Sequence, residues 1–351
     1  MAKGKKEEPF KDYKREQKPR LKTLYNDKIK AALREEFSYG NVMERPRLVK
    51  ISVNLGLGRA VANPKIMESA VEELRAIAGQ ASTLIHTSNL YEVPLQSSLA
   101  EKLCSVSGMD KVFFGNSGAE ANEAAIKIAR LHGHNQGIEM PTVVVMEGSF
   151  HGRTMATLTA TGNRKVHAGF EPLLKGFVRA PFGDADAVAL IGKNNPDVTA
   201  VLVEPVQGEG GIIIPDDDYL ARLRAICDEH NWLLMLDEVQ TGNGRTGAFF
   251  AYQKAGILPD VVTTAKGLGN GVPIGACLAR GPAAAVLGAG QHGSTYGGNP
   301  LACATALAVM NTITADDLCA NATAMGQLIA DALRASDAGD KIREVRGRGL
   351  M

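Results

Sequence analysis

The sequence predicts an α/β fold in which helices cover a mostly parallel sheet. Short apolar runs of strand length alternate along the chain with segments whose apolar residues recur at helical spacing. One run, Trp232-Leu233-Leu234-Met235-Leu236, is apolar throughout, as expected for a strand buried on both faces. Glycines often follow these runs directly, where a backbone turns tightly or approaches a ligand. Since such sheets bind ligands beyond the carboxyl ends of their strands, the residues after each run are the first functional candidates.

The composition excludes several classes of protein. The chain has 351 residues with 39 Lys+Arg and 38 Asp+Glu, but residues 1–80 carry 18 basic and 11 acidic side chains, against 21 and 27 in the remainder. Five scattered cysteines, never spaced as CxxC, disfavour a disulfide framework or structural zinc, and we expect no metal site. No apolar run approaches the roughly 20 residues that span a bilayer. We therefore expect a cytoplasmic protein without membrane contact.

Sequence patterns in the first eighty residues predict a separate, small set of secondary-structure elements. Residues 1–20 have eight basic and four acidic side chains and almost no apolar ones, which predicts a disordered basic arm. Helical spacing from Leu21 to Phe37 is followed by alternation over Leu48 to Leu55, typical of a half-buried strand. A second helix is expected to open at Asn63 and to stop at Gly79. The pattern over residues 21–80 thus predicts a helix, a strand and a helix.

The run from Val42 to Gly58, VMERPRLVKISVNLGLG, resembles the signature of bacterial ribosomal protein uL5, a 5S-rRNA-binding family of the large subunit. The resemblance implies an α+β uL5-like fragment over residues 21–80 and 5S rRNA as a partner. It places Arg47, Lys50 and Asn54 on or near an RNA-facing side, and a polar strand face beside a basic arm suits phosphate contact. The alternative is that this polar face is simply solvated.

The first predicted strand after residue 81 leads into an anion-binding pattern. Val112 to Phe114 is followed by Gly115-Asn116-Ser117-Gly118 and then by an alanine-rich helix. A glycine turn at a helix N-terminus presents free backbone N–H groups and the positive end of the helix dipole. A capped helix without a ligand is the alternative interpretation.

The second and third strands end on side chains that can stack or carry charge. Val143 to Met146 leads to Phe150, His151 and Arg153, whose ring, imidazole and guanidinium can supply a stacking surface and a carboxylate clamp. Ala200 to Val203 ends at Glu204, an acidic residue that needs a partner in such a position. Both segments are therefore candidates for contact with a charged, planar ligand.

An aspartate follows the fourth predicted strand, and a lysine follows the fifth. Trp232 to Leu236 runs into Asp237, whose carboxylate calls for a cation such as a protonated ring nitrogen. Val261 to Ala265 delivers Lys266, which among glycines and with a lowered pKa suits Schiff-base chemistry. We expect the two side chains to be neighbours, because about one βαβ step separates them. With a phosphate cradle and an aromatic stacker, they are the groups that pyridoxal phosphate requires.

The motifs at these strand ends resemble the class III aminotransferases. They are NSGAEANE from Asn116, SFHGR from Ser149, EPVQGEGG from Glu204, LDEVQ from Leu236 and AKG from Ala265. The stretches HTSNLY from His86 and HGSTYGGNP from His292 most resemble acetylornithine-type members of that family. The resemblance implies a large domain of PLP fold type I over residues 81–305, with a mostly parallel seven-stranded sheet. Residues 306–351 would begin an incomplete C-terminal small domain.

The resemblance also implies roles for individual residues. Those implied to hold the cofactor are Ser117, Gly118 and Ala119 at the phosphate, Phe150 stacked on the ring, Asp237 at the ring nitrogen, Val239 and Gln240 at the other face and the phenolic oxygen, Lys266 in the internal aldimine, and Thr295 at the phosphate. Those implied to bind substrate are Arg153, which would clamp a carboxylate, Glu204 and Ser294. Ser294 and Thr295 would come from the neighbouring subunit, which requires a homodimer with a shared active site.

Two function classes follow from these resemblances. The first is pyridoxal-phosphate-dependent transamination of N2-acetylornithine, or a related ω-amino substrate, with 2-oxoglutarate in arginine biosynthesis. The second is a structural, 5S-rRNA-binding component of the ribosome. Because the join near residue 80 has no Gly/Ser/Pro linker, we also expect a chimera of two partial proteins, with the enzyme as the favoured interpretation.

Overall fold

The computed structural model describes residues 65–336 and 342–351. The predicted basic arm, the uL5-like run and its residues Arg47, Lys50 and Asn54 lie outside the described residues and stay predictions. Of the chain's two compact units, 1–67 and 68–351, the second contains the sheet. Within the described ranges, no helix combines the length and apolarity needed to cross a membrane.

The described residues form helices and strands in alternation over most of their length. The helices are α1 (Lys65–Thr83), α2 (Pro94–Ser107), α3 (Gly118–Asn135), α4 (Met155–Ala160), α5 (Ala185–Asn194), α6 (Tyr219–His230), α7 (Gly281–Ala284), α8 (Pro300–Ala315) and α9 (Leu318–Arg334). The strands are β1 (Lys111–Gly115), β2 (Thr142–Met146), β3 (Phe177–Ala180), β4 (Val198–Val203), β5 (Leu233–Asp237), β6 (Val261–Thr264) and β7 (Gly275–Ala279).

The seven strands make one sheet in the order β1-β7-β6-β5-β4-β2-β3. Neighbouring strands from β6 to β3 run parallel, whereas β7 is antiparallel to both β1 and β6. The prediction of a mostly parallel, seven-stranded sheet is therefore confirmed. The five strands expected from apolar runs are all present, and β3 and β7 are additional to them.

The apolar core lies on both faces of this sheet. On one face Val144, Val201 and Leu234 pack with residues of α2, α5, α6 and α8. On the other face alternate strand residues, such as Val145 and Met235, pack against the alanines of α3. Because the central strands β2, β4, β5 and β6 are buried at every position, their sequences are mostly apolar, with no alternation.

Three local expectations differ from the structure. Helix α1 does not stop at Gly79 but continues through the expected 80/81 boundary to Thr83, since nothing in the following residues breaks it. Helix α8 likewise runs through the expected 305/306 boundary. The connection between β5 and β6 contains a short 3-10 turn at Ala251–Gln253 in place of the expected crossover helix, although the two strands are adjacent and parallel.

Candidate active site

A cavity of about 460 Å³ lies beyond the carboxyl ends of the parallel strands. Ten of the residues predicted for the site line it: Ser117, Gly118, Ala119, Phe150, Arg153, Glu204, Asp237, Val239, Gln240 and Lys266. They come from five separate segments that follow β1, β2, β4, β5 and β6. The fold therefore gathers the predicted strand-end motifs at one place, as the parallel topology requires.

The N-terminus of helix α3 forms one wall of this cavity. Ser117 is its N-cap, and the Ser117 hydroxyl accepts a hydrogen bond of 3.2 Å from the backbone N–H of Glu120. A Cβ atom at Gly118 would lie 2.8 Å from Cγ1 of Val239, so only glycine fits between the helix and the segment after β5. Since the first N–H groups of a helix have no partner within it, this wall offers hydrogen-bond donors and positive potential to an anion.

Asp237 lies at the end of β5, buried to 3% exposure. Its Oδ2 accepts hydrogen bonds from Asn122 Nδ2 at 2.7 Å and from His151 Nδ1 at 2.8 Å. Its Oδ1 accepts one from the backbone N–H of Val239 at 3.0 Å. These three donors stabilise a buried carboxylate. A carboxylate has about four lone-pair positions, so one remains on Oδ1 for a group in the cavity.

Lys266 follows β6, lines the cavity and lies near the carboxylates of Asp237 and Glu204. Burial lowers the pKa of Lys266 from its ordinary value, and the nearby carboxylates of Asp237, Glu209 and Glu204 oppose that shift. The backbone of Lys266 has φ of +41°, a left-handed conformation that costs energy in a non-glycine residue. The lowered pKa increases the fraction of neutral amine, which is the nucleophilic form.

Glu204 is buried at the end of β4. Its Oε2 accepts a hydrogen bond from the backbone N–H of Phe150 at 3.0 Å, and its Oε1 accepts one from Gly208 at 3.3 Å. Burial raises the pKa of Glu204, and the carboxylate of Asp237 adds to the increase. Through these bonds, Glu204 joins the loop after β2 to the loop after β4.

Phe150 and Arg153 share the loop that follows β2. The guanidinium carbon of Arg153 lies 5.8 Å from the centre of the Phe150 ring, within the range of a cation–π contact. Arg153 is exposed and, among the described residues, forms no ion pair. Its charge is therefore available to an anionic ligand at the mouth of the cavity.

Ser294 and Thr295 do not line the cavity. The Ser294 hydroxyl accepts a hydrogen bond of 3.1 Å from Asn116 Nδ2, and Asn116 is itself a lining residue. The backbone carbonyl of Ser294 accepts a hydrogen bond from Asn89 Nδ2 at 2.8 Å. Thr295 is exposed. Both residues thus lie on a surface loop of the chain, outside its own cavity.

Sequence reasoning missed two polar residues that line the cavity, Asn116 and Asn122, and did not include His151, another lining residue, in the candidate site. All three stand inside the quoted motifs, but the resemblance implied no role for them. Asn122 and His151 are 1% and 2% exposed, and polar groups are buried so deeply only with partners. A polar asparagine among the alanines of an otherwise apolar helix face was the available signal.

Three comparisons place these observations among known proteins. Residues 63–351 match the family "Aminotransferase class-III", a span that includes residues 63–80. Acetylornithine aminotransferase of Nitrosomonas europaea is 57% identical over 279 residues, which is 79% of this chain and 71% of that protein. The crystal structure of N-acetylornithine aminotransferase from Stenotrophomonas maltophilia K279a is 37% identical, with a TM-score of 0.68, and the match covers 80% of this chain and 69% of that one.

A third relative is a structure of ornithine aminotransferase from Toxoplasma gondii with PLP at partial occupancy in its active site. It is 34% identical, with a TM-score of 0.76, and the match covers 79% of this chain and 66% of that one. This chain thus spans 66% to 71% of the length of these three relatives. With the family match over most of its residues, the chain belongs to the class III aminotransferases.

Proposed function

We propose that this chain catalyses transamination between N2-acetylornithine, or a related ω-amino substrate, and 2-oxoglutarate. The observation that carries the proposal is one cavity that unites the N-terminus of α3 with Asp237 and Lys266. The substrate choice is supported by relatives in Nitrosomonas europaea and Stenotrophomonas maltophilia that are acetylornithine aminotransferases.

The cofactor of this family is pyridoxal phosphate, and the residues present fit it. A helix N-terminus with room for no side chain at Gly118 suits a phosphate. The buried carboxylate of Asp237 suits a protonated ring nitrogen, and Lys266 with its lowered pKa suits an aldehyde. When bound, the cofactor supplies an electron-withdrawing ring that stabilises the negative charge left when a proton leaves the substrate carbon.

The predicted site residues that line the cavity have specific roles in this proposal. Ser117, Gly118 and Ala119 donate hydrogen bonds to the phosphate, and Asp237 holds the proton at the ring nitrogen. The side chains proposed to contact the ring are Phe150 on one face, Val239 on the other and Gln240 at the phenolic oxygen. Lys266 would hold the cofactor through its amine and would act as the general base and acid for the proton at the substrate carbon.

Substrate binding is assigned to the charged residues at the mouth of the cavity. Arg153 is exposed and has its charge free, so it can clamp a substrate carboxylate with two parallel hydrogen bonds. Glu204 lies behind Phe150 in the same cavity. Because Glu204 has a raised pKa, it can be neutral beside a substrate carboxylate and charged beside a substrate amine.

We also propose that the enzyme is a homodimer whose subunits share their active sites. Ser294 and Thr295 are assigned to the partner's substrate and phosphate, which accords with their position on an exposed loop. Large apolar side chains next to this loop are exposed, with Leu90 at 92%, Tyr91 at 70% and Tyr296 at 59%. An exposed apolar patch of this kind is typical of an interaction surface.

The assay for this function uses the purified chain with pyridoxal phosphate. With N2-acetylornithine as amino donor, 2-oxoglutarate should be converted to glutamate, and ornithine should be the poorer donor. Arg153→Lys keeps the charge but loses the two-pronged hydrogen bond, so it should raise KM for 2-oxoglutarate about tenfold or more. Glutamate formation with ornithine and not with N2-acetylornithine would contradict the substrate assignment.

A separate proposal concerns residues 1–80, which carry a net charge of +7 from 18 basic and 11 acidic side chains. The uL5-like run supports 5S rRNA as their ligand, with Arg47, Lys50 and Asn54 in contact. The full chain should then bind 5S rRNA more weakly as salt rises, with affinity lost in Lys50→Ala. No binding at low salt would contradict this second function.

A further inference from the structure

We propose that Asn122 is a positioning residue that determines which oxygen of Asp237 faces the cavity, and that Thr263 holds the Asn122 amide in place. The inference rests on the proposed function, in which Asp237 meets the ring nitrogen of the cofactor. The sequence motifs imply no role for either residue. Three hydrogen bonds of the Asn122 amide and the register between β5 and β6 support these two roles.

The carboxylate of Asp237 is bonded unevenly. Oδ2 accepts from both Asn122 and His151, at 2.7 and 2.8 Å. Oδ1 accepts only from the backbone N–H of Val239, at 3.0 Å. Both lone pairs of Oδ2 are therefore used by side chains, and the open position belongs to Oδ1. Without the bond from Asn122, the two oxygens would become equivalent in number of donors.

The side-chain amide of Asn122 uses both its nitrogen and its oxygen in hydrogen bonds. Its Nδ2 donates to Asp237 Oδ2 and to the backbone carbonyl of His151, at 2.7 and 2.8 Å. Its Oδ1 accepts a 2.7 Å hydrogen bond from the Thr263 hydroxyl. A reversed amide would place Oδ1 against two acceptors, which is repulsive. Asn122 is 1% exposed, so water cannot replace any of these partners.

Strand register explains why Thr263 is the residue that reaches Asn122. Thr263 on β6 is the direct partner of Asp237 on β5, and it is fully buried. Residues paired across neighbouring parallel strands lie on the same face of the sheet. Asn122 on α3 covers this pair and bonds to both members. Helix α3 and the two strands therefore meet at one polar contact inside an apolar layer.

His151 cannot take over the role of Asn122. Its Nδ1 already bonds to Asp237 Oδ2, and its buried Nε2 has no partner among the residues that the structure describes. Its backbone N–H is occupied by the Thr161 hydroxyl at 3.0 Å. Besides Val239, Asn122 is therefore the neutral donor that stabilises and orients the Asp237 carboxylate. The interaction of a neutral amide with a carboxylate favours the charged carboxylate over the protonated acid.

The test replaces Asn122 by an acid of the same shape. Asn122→Asp removes both N–H donors and places a second carboxylate beside Asp237, and the pair should then share a proton. We expect the affinity for pyridoxal phosphate to fall about 10- to 100-fold. With cofactor labelled with 15N at the ring nitrogen, NMR should show that this nitrogen loses its proton at a lower pH than in the wild type.

Threonine variants provide the second arm and its controls. Thr263→Val removes the hydroxyl at constant shape and should shift the 15N titration in the same direction by a smaller amount. Thr263→Ser keeps the hydroxyl, so its 15N titration should be that of the wild type. Thr199→Val removes another buried hydroxyl, which bonds to the Ala129 carbonyl, and should shift nothing. If Asn122→Asp does not fold, this series decides the question.

The outcomes of these experiments distinguish failure of the proposed function from failure of the inference. A wild-type chain that binds no pyridoxal phosphate would contradict the proposed function itself. A wild type that binds it, with Asn122→Asp showing the same 15N titration and affinity, would overturn the role of Asn122, and the same result for Thr263→Val would overturn the role of Thr263. Loss of affinity in Thr263→Ser equal to that in Thr263→Val would assign the effect to packing and also overturn the inference.

Discussion

Buried carboxylates dominate the chemistry of this molecule at the scale of single residues. Asp237, Glu204 and Glu238 are 3%, 4% and 0% exposed, yet their environments differ. Asp237 receives hydrogen bonds from two side chains and one backbone N–H, whereas Glu238 has no cationic partner among the described residues. Burial raises the pKa of Glu238 to about 7. Two adjacent buried carboxyl groups thus lie in different environments, and the one at Glu238 titrates near neutral pH.

Glu238 makes stability depend on pH. Its pKa in the folded protein is about 7, above the ordinary 4.5, so the folded state binds more protons than the unfolded state between these values. Stability from this group is complete below about pH 4.5 and is lost as pH rises towards 7. Glu238→Gln should therefore gain stability relative to wild type by an amount on the order of 3 kcal/mol between pH 5 and pH 8.

Urea unfolding of both chains at the two pH values measures this difference. The Gln variant keeps an oxygen to accept the hydrogen bond that Tyr252 N–H donates to Glu238, so its fold should be retained. A pH-independent difference between wild type and Glu238→Gln would show that the buried carboxyl does not titrate in this range.

Three residues of the site illustrate what sequence alone can and cannot give at this scale. Lys266 and Asp237 were identifiable because each lies at the end of an apolar strand, where a charge is costly unless a partner or ligand meets it. Asn122 was not identifiable from the sequence, because its partners Asp237 and Thr263 are 115 and 141 positions away. Only the completed sheet brings them together, so the helix sequence does not reveal why an asparagine is buried there.

At the scale of elements, helix caps connect stability to ligand binding. Ser117 caps α3 at the cavity, and Asn299 caps α8, its Oδ1 accepting from the N–H of Ala302 at 2.9 Å. Either residue changed to Ala should cost about 1 kcal/mol of stability. Ser117→Ala should also weaken pyridoxal phosphate binding, because its hydroxyl faces the phosphate in the proposed function.

Thermal unfolding with and without cofactor separates the two effects. Both variants should unfold at lower temperature without cofactor, and only Asn299→Ala should regain the full wild-type increase in Tm on adding it. Equal stabilisation of both variants by pyridoxal phosphate would remove Ser117 from the phosphate site.

The elements that sequence patterns missed have physical reasons for their weak signals. Strand β7, GACLA, consists mainly of small residues, because a Cβ at Gly275 would overlap the backbone carbonyl of Ser117. Strand β3 lies at the sheet edge and includes Arg179, whose guanidinium bonds to the carbonyl of Thr161 at 2.9 Å. Neither has the apolar run that marked β2, β4, β5 and β6.

At the scale of the whole molecule, the sheet assembles a site from segments far apart in the chain. Ser117 and Lys266 lie in one cavity although 149 positions separate them. In the proposed homodimer, the partner would complete this cavity with Ser294 and Thr295. If each site contains residues of both subunits, dimers formed from two different variants should regain an intact site, which is not expected of a site within one chain.

Mixed dimers test the shared site. Lys266→Ala should abolish activity, and Thr295→Ala should lower it by weakening phosphate binding from the partner. In dimers formed from one chain of each variant, one site would carry both defects and the other neither. Refolding the two variants together should therefore restore activity towards about a quarter of the wild-type value, as half the dimers are mixed and each has one intact site. Activity no higher than the mean of the two separately refolded variants would contradict shared sites.

In the proposed function, Lys266 attaches pyridoxal phosphate in the cavity beyond the sheet. The most direct measurement is borohydride reduction of the cofactor-treated chain, followed by peptide mass spectrometry, with Lys266→Ala as control. We expect one reduced cofactor per chain on the peptide containing Lys266, and none on the variant. Labelling at another lysine, or equal labelling of wild type and Lys266→Ala, would contradict it.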